Sequence, residues 1–360
     1  MNFEDRYFKF EERIRNLYVR FSTVYSRIRA HKRRRKIVKH YGSPVIDRKL
    51  KKHIKQYAKR EFGTRRYWPF LALYTEIRRE FVEGWLPYDY YRYVLLPKMN
   101  PKNYRYLSDA KTYDYRLFGE FAIKPLFVYV SGILYNAELE IIDESQLRSI
   151  LSQHNDTIVI KEEFGMKGKQ IQIIHSSEFA PEKLSKKINY VVQPYVKQYK
   201  LLNDLYPDSL NSFRITTYLK DNGEVALIFS ILRFGVDGKR IDNLSIGGHY
   251  IYFDSSGKPT DTSYSGELWC YKGEERHKNT GFLFKDLKLP MYDKMMEECK
   301  KAHKNYPYLR LIGWDVCIDE AGDPKLIEWN AICPGFWPFE GLFGPLWKEH
   351  GEIFSEQYRE

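Results

Sequence analysis

"LIGWDVCIDEAGDPKLIEWNAICPG", residues 311–335, is two apolar runs joined by a segment of Asp, Gly and Pro. The turn chemistry of 319–324 predicts a hairpin in which 312–318 and 325–330 pair as antiparallel strands. Glu328 and Asn330 are two apart and so share a face. Asp315 lies mid-strand on the partner, within cross-strand reach of that face. Three hard oxygen donors then meet on one patch. Burying carboxylates without compensation costs several kcal/mol each. Magnesium, which takes a few carboxylates together with water and nucleotide phosphates, removes that cost. Edge carboxylates paired with lysines are the structural alternative.

Upstream, "TIVIKEEFGMKGKQIQII" (157–174) reads strand, lysine, glycine-containing loop, strand. Lys161 closes the first strand. Gly165 and Gly168 flank a turn whose backbone N–H groups are able to approach phosphate oxygens, with Lys161, Lys167 and Lys169 adding positive charge. The spacing is neither that of a Walker loop nor that of a dinucleotide fingerprint, and the kinase signatures HRD and DFG are absent. "INYVVQPYVKQ" (188–198) is an apolar strand running into Gln193, Pro194 and Tyr195. Such an edge suits an adenine ring, and suits an ordinary core strand equally well.

The remaining texture divides the chain into a region over 1–100 and another over 101–360. Residues 3–40 read as one long amphipathic helix with Ile14, Leu17, Phe21, Val24 and Ile28 at spacings of three and four. A second helix is expected from Ser43 as N-cap with Pro44 in the first turn, ending near Gly63. A third is expected over about 69–83. Beyond residue 105, β-rich stretches alternate with helical ones at 144–154 and about 291–305, and "KDNGE" (220–224) marks a further hairpin. Strands join adjacent strands, an α+β pattern.

Composition bounds the class. The 360 residues are 43% hydrophobic and 16% aromatic, ample for a core. No run of eighteen uncharged apolar residues predicts a membrane-spanning helix, and the charged N-terminus is unlike a signal peptide. Four scattered cysteines argue against a disulfide framework or zinc ribbon and suit a reducing cytoplasm. The net charge of +12 is concentrated in "RIRAHKRRRK" (27–36). Nucleic acid, anionic lipid or a phosphate-bearing substrate would each suit such a run, as would a solvated helix face.

In order along the chain, these pieces resemble the ATP-grasp superfamily, and within it the sugar-transfer-associated proteins of bacterial polysaccharide biosynthesis. The likeness runs over about 105–345. It is carried by "LSDAKTYDYRLF" (107–118), the 157–171 loop, "VVQPYV" (191–196), "LNSFRITTYL" (210–219), "LRFGVDGKRIDNLSIGG" (232–248), "HKNTGFLF" (277–284) and the closing hairpin. "EGWLPYDYYRYVL" (83–95) resembles the family's opening segment. The resemblance implies an ATP-grasp fold, two α+β subdomains (about 150–200 and 201–345) gripping ATP, preceded by a basic helical region. It implies an ADP-producing carboxylate–amine ligase of capsular or surface polysaccharide assembly, working through an acyl phosphate. Its substrates would be a small carboxylate and an amine, one of them a nucleotide-linked or lipid-linked sugar. A kinase of the same fold is the alternative, and a non-catalytic nucleic-acid-binding protein a more distant one. Peripheral contact with the inner face of the membrane would run through 27–36.

Carried over by position, Lys111 and Lys161 would contact the nucleotide phosphates, with Gly165 and Gly168 covering them. Gln193, Tyr195 and Val196 would form the adenine hinge. Asp315, Glu328 and Asn330 would hold two magnesium ions. Relatives of D-alanine ligase type carry an arginine two places before the metal aspartate, where this chain has Gly313. Arg214 and Arg233 are therefore the candidates for stabilising the phosphoryl centre. Asn211, Asp242, Asn243 and Gly247 would line the acceptor side.

Overall fold

A computed structural model of the chain describes residues 3–165, 170–239, 244, 247–254, 256–265 and 270–350, with side chains from residue 10 onward except 11, 12, 15 and 16. The packing divides the chain into two compact units, residues 1–99 with 335–360, and residues 100–334.

The first unit is helical. α1 spans Phe3–Tyr41, α2 Arg48–Phe62 and α3 Trp68–Arg78. α2 starts later than Ser43: Asp47 is the N-cap, its side chain accepting from Leu50 N at 2.7 Å, and Gly63 ends the helix in the left-handed region. An aspartate in extended backbone satisfies an orphan N–H of the first turn, whereas residues 42–47 form a bend. α3 also stops short of 83, because Arg79 adopts a left-handed φ of 68°. The short helix Trp337–Phe343 completes the unit. Its Glu340 is fully buried and accepts from Leu86 N and Leu346 N, while burial pushes its carboxyl up to about 8.

α1 does not bury the face its periodicity suggests. Among its described side chains Ser26, Ala30 and Ile37 are buried, while Ile14, Leu17, Phe21, Val24 and Ile28 stay about half exposed or more. Nor is the basic run simply a solvated face. Arg27 pairs with buried Asp89 at 2.8 Å, Arg34 with buried Glu76 at 3.2 Å, and Arg33 lies over the Trp337 ring at 4.4 Å. Buried carboxylates on the unit's own interior hold the Arg27 and Arg34 guanidinium groups.

The second unit contains two antiparallel sheets. The smaller has β1 (Phe127–Val130), β2 (Ile133–Tyr135), β3 (Thr157–Glu162), β4 (Ile171–His175) and β5 (Tyr190–Pro194) in the order β2-β1-β5-β3-β4. The helix Glu144–His154 packs with it, started by a capping box between Asp143 and Gln146. The larger sheet has β6 (Ser212–Leu219), β7 (Val225–Phe234), β8 (His249–Phe253), β9 (Tyr264–Ser265), β10 (Tyr271–Lys272), β11 (Leu311–Ile318) and β12 (Pro324–Asn330) in the order β10-β9-β8-β7-β6-β11-β12. One face of it carries Phe213, Ile215, Leu232, Trp314, Val316 and Trp329, packed with Met295 and Cys299 of the helix Tyr292–Asn305. Buried Asn100 ties this unit together. Its Nδ2 donates to Leu311 O and Ala331 O at 2.7 and 2.8 Å, and its Oδ1 accepts from Leu311 N at 3.0 Å.

The four cysteines are free, three of them buried. Among the described residues no helix is long and apolar enough to cross a membrane.

Candidate functional site

Strand register builds the site. Asp315 on β11 stands directly opposite Glu328 on β12 and opposite Arg214 on β6. Gly313 stands opposite Asn330, and Ser212 on β6 opposite Arg233 on β7. Directly paired residues project on the same side, as do residues two apart. Arg233, Arg214, Asp315, Glu328 and Asn330 therefore form one row across four adjacent strands, on the face opposite the tryptophans.

A β-bulge makes the row possible. The β11–β12 register shifts between Asp315/Glu328 and Val316/Leu326, leaving Ile327 as the extra residue. Unbroken alternation would put Leu326 on the same side as Glu328. With the bulge, Leu326 and Trp329 both enter the core while Glu328 and Asn330 stay on the polar face.

Asp315 is the electrostatic centre. Arg214 grips it with Nε on Oδ1 and with Nη2 on Oδ2 at 2.8 Å, and Arg233 Nη2 reaches Oδ2 at 3.2 Å. Burial pushes the Asp315 carboxyl up, but the two guanidinium groups outweigh it and hold the group well below the usual carboxylate range. Glu328 moves the other way. Burial first, then the Asp315 charge, raises its carboxyl. The pair carries unequal protons, Asp315 staying ionised and Glu328 accepting the proton more readily. Arg233 also donates to Ser212 Oγ at 2.6 Å, which fixes its guanidinium.

Lys161 approaches from the smaller sheet. Its Nζ lies 3.5 Å from the bulge carbonyl, Ile327 O. Burial lowers its pKa, an effect opposed by Glu328 and Asp114. Lys111 holds the loop after β3, donating to Glu163 O at 3.0 Å and Gly165 O at 2.7 Å. Gly165 sits in a tight turn: a Cβ there would lie 3.1 Å from Gln170 Oε1 and 3.2 Å from Glu162 O. Gly168, Lys167 and Lys169 lie outside the described residues, as do Asp242 and Asn243.

Pro194, Tyr195 and Val196 line an open cleft of about 640 Å³ with Ile123, Ala321 and Lys325. The row of charged residues does not line that cleft. Gln193 is buried beside it, donating to Ile123 O at 3.0 Å with its Oε1 unpaired.

Asn211 is turned elsewhere. Its amide nitrogen donates to Gln198 Oε1, Leu202 O and Tyr206 O, closing the end of the helix Lys200–Leu205. Gly247 takes a left-handed φ of 94°, and its carbonyl is 3.4 Å from Lys239 Nζ. Both nitrogens of buried His277 are engaged. Nε2 is paired with Gly235 O at 2.9 Å, and Nδ1 accepts from the Asn279 and Thr280 backbone.

Two further residues belong to the cluster without being singled out by pattern. Asp114, three places after Lys111, accepts from Trp329 Nε1 at 2.9 Å, and burial pushes its carboxyl up to about 8. Buried Glu163 bonds Thr112 Oγ1 and accepts from Asn189 Nδ2 at 2.5 Å. Each lies in a stretch already noted, but its partners are remote in sequence.

Comparison with known families places the chain. The family model described as "Sugar-transfer associated ATP-grasp" matches residues 92–344. The chain belongs to the sugar-transfer associated ATP-grasp family. No curated protein matches it. Solved structures similar to this ATP-grasp chain include the ATP-grasp ligase PsnB complexed with a phosphomimetic variant of its minimal precursor, Mg and ADP, at 12% identity and a TM-score of 0.39, over 75% of this chain and 62% of that one. The biotin carboxylase of Campylobacter jejuni is 10% identical with a TM-score of 0.35, over 62% of this chain and 40% of that one. D-alanyl-alanine synthetase A from Vibrio cholerae is 11% identical with a TM-score of 0.35, over 61% and 52%. This chain thus spans less than two thirds of each.

The donor set fits a hard divalent cation. Asp315, Glu328 and Asn330 each offer a side-chain oxygen on one face. Among the described residues no group of three or more His, Cys, Asp and Glu side chains gathers as a metal site, so the amide is needed to complete three ligands.

Proposed function

We propose that this chain is an ATP-dependent carboxylate–amine ligase that joins an amino acid or small amine to a sugar unit of a surface polysaccharide. The observation that carries the reading is the four-strand row of Arg233, Arg214, Asp315, Glu328 and Asn330, approached by Lys161 from the other sheet. Phosphoryl transfer needs positioning and charge neutralisation more than covalent help from the protein. A row with two arginines and a lysine around two carboxylates suits that task.

In this reading a substrate carboxylate oxygen attacks the terminal phosphorus of ATP and ADP leaves. The amine nitrogen then attacks the acyl carbon, inorganic phosphate leaves, and the amine loses a proton. Lys111 and Lys161 bind nucleotide phosphates, and the Gly165–Gly168 loop covers them. Gln193, Tyr195 and Val196 hold the adenine at the joint of the two subdomains. Asp315, Glu328 and Asn330 would hold magnesium, which would offset the negative charge of the nucleotide phosphates. Arg214 and Arg233 orient the transferring group. The stem of Arg214 lies beside Gly313, its Cδ 3.7 Å from where a Cβ would stand. A guanidinium from β6 thus takes the position that an arginine at 313 would otherwise serve. Gly247, Asp242 and Asn243 border the acceptor. Exposed Arg29, Lys32 and Arg35 of the basic run give peripheral contact with anionic lipid.

The test is an ADP-release screen of amino acids against nucleotide-linked uronic acids and amino sugars. Release of inorganic phosphate only when both carboxylate and amine are present supports ligation. A phosphorylated product with a single acceptor indicates a kinase instead. Glu328→Gln abolishes turnover in either case, and undiminished turnover in that variant overturns the site.

A further inference from the structure

The apolar face that α1 leaves uncovered has a strict period. Phe10, Ile14, Leu17, Phe21, Val24 and Ile28 are 62%, 53%, 51%, 69%, 53% and 48% exposed. Their spacings are four, three, four, three and four, a repeat of seven. A straight helix of 3.6 residues per turn drifts out of a seven-residue repeat, and the stripe stays aligned only against another helix that supercoils with it. A flat lipid surface requires no such repeat. In heptad terms Ile14, Phe21 and Ile28 occupy a, and Phe10, Leu17 and Val24 occupy d.

The flanking positions choose the partner and its direction. Position g is arginine at 6, 13, 20 and 27, and position e holds Glu11, Tyr18 and Tyr25. Antiparallel pairing sets g against g, arginine against arginine. Parallel pairing sets each g against the e of the next heptad in the other helix. Arg13 then meets Tyr18 of the second copy and Arg20 meets its Tyr25, two cation–π contacts. Tyr18 and Tyr25 are 70% and 62% exposed and able to make them. The seam ends where the sequence ends it. His31 and Arg35 would be the next d and a residues, and there Ser26, Ala30 and Ile37 turn α1 onto its own unit. Eight half-exposed side chains of this size bring roughly 100 Å² each. The total, about 800 Å² per copy, is what a standard specific interface buries on each side.

We propose that α1 residues 10–28 pair with the same segment of a second copy of this chain as a parallel, two-stranded coiled coil. This pairing is independent of the chemistry of the second unit.

Sedimentation of the full chain tests it. The expected mass is twice 43.2 kDa at micromolar concentration. The double variant Leu17→Glu/Phe21→Glu raises the dimer dissociation constant by about 100-fold or more, since it buries facing carboxylates in the seam, with the far-UV dichroism of each copy retained. Oxidation of Leu17→Cys links two chains faster than Ser22→Cys, which points away from the seam, the unsubstituted chain giving the background. A monomer throughout, a dimer that survives the double variant, or equal linking at 17 and 22 overturns the proposal. So does a monomer that floats on phosphatidylcholine–phosphatidylglycerol vesicles and loses that binding in the double variant, since lipid then covers the stripe.

Discussion

Replacing Asp315 by asparagine removes the one charge that Arg214 and Arg233 share, without changing the side chain's size. Breaking a buried ion pair from one side typically costs about 3–5 kcal/mol, because the remaining charge is left uncompensated. Here compensation stands across the strand pair. Glu328 is directly opposite Asp315, and its carboxyl is raised by burial and next by the Asp315 charge. Once residue 315 is neutral, Glu328 ionises more readily and takes over part of the arginine charge. The expected loss for Asp315→Asn at pH 7 is therefore reduced, to about 2–3 kcal/mol. Glu328→Gln alone costs less than about 1 kcal/mol, because that group already accepts a proton readily. The double variant leaves two guanidinium groups with no carboxylate in the row, so its loss exceeds the sum of the singles by about 1 kcal/mol or more. Urea unfolding of the four proteins, without nucleotide or magnesium, gives the cycle. Additivity within about 0.5 kcal/mol would refute the coupling, and with it the placement of Glu328 as the partner of Asp315.

Other outcomes follow from single groups. Asp114 has a carboxyl raised from 3.8 to about 8, so the stability it contributes is complete below its unfolded value and is lost as pH rises through about 8. Asp114→Asn, which keeps an acceptor for Trp329, should leave the thermal midpoint nearly unchanged at pH 4 and raise it at pH 8, by a stability of roughly 5 kcal/mol. His303 is lowered from 6.5 to about 4 by burial, with Nδ1 paired with Thr217 Oγ1 and Nε2 with Leu309 O. Its contribution is present above pH 6.5 and lost as pH falls through about 4, so His303→Gln should flatten the acid limb of a stability profile by roughly 3 kcal/mol. Asn100→Ala strands three buried backbone groups and should cost about 2–4 kcal/mol in urea unfolding.

Several features are fixed by local chemistry and are legible without coordinates. The apolar runs and the Asp-Glu-Ala-Gly-Asp-Pro turn specify the β11–β12 hairpin, because two-residue alternation and turn preferences act over a few residues. The capping box at Asp143 marks its helix for the same reason. The seven-residue spacing along α1 is likewise written in the chain, but which side of α1 is buried is not. The sequence reading assigns Ile14 to Ile28 as the packing stripe, and the structure seats Ala30 and Ile37 instead. That choice depends on where buried Asp89 and Glu76 stand to receive Arg27 and Arg34, and they are 62 and 42 residues away.

The charged row shows the same division. Asp315, Glu328 and Asn330 come together through one hairpin, so their meeting can be read from the sequence. The extra residue at Ile327 that parts Glu328 from Leu326 cannot, since "KLIEWN" alternates equally well without it. Arg214 and Arg233 reach Asp315 only because β7, β6 and β11 are neighbours in the sheet, and Asp114 finds Trp329 across 215 residues of chain. Short-range periodicity and turn chemistry determine which side chains share a face of a strand. Strand order and register, which are set by burying the tryptophan face, decide which charges then face one another.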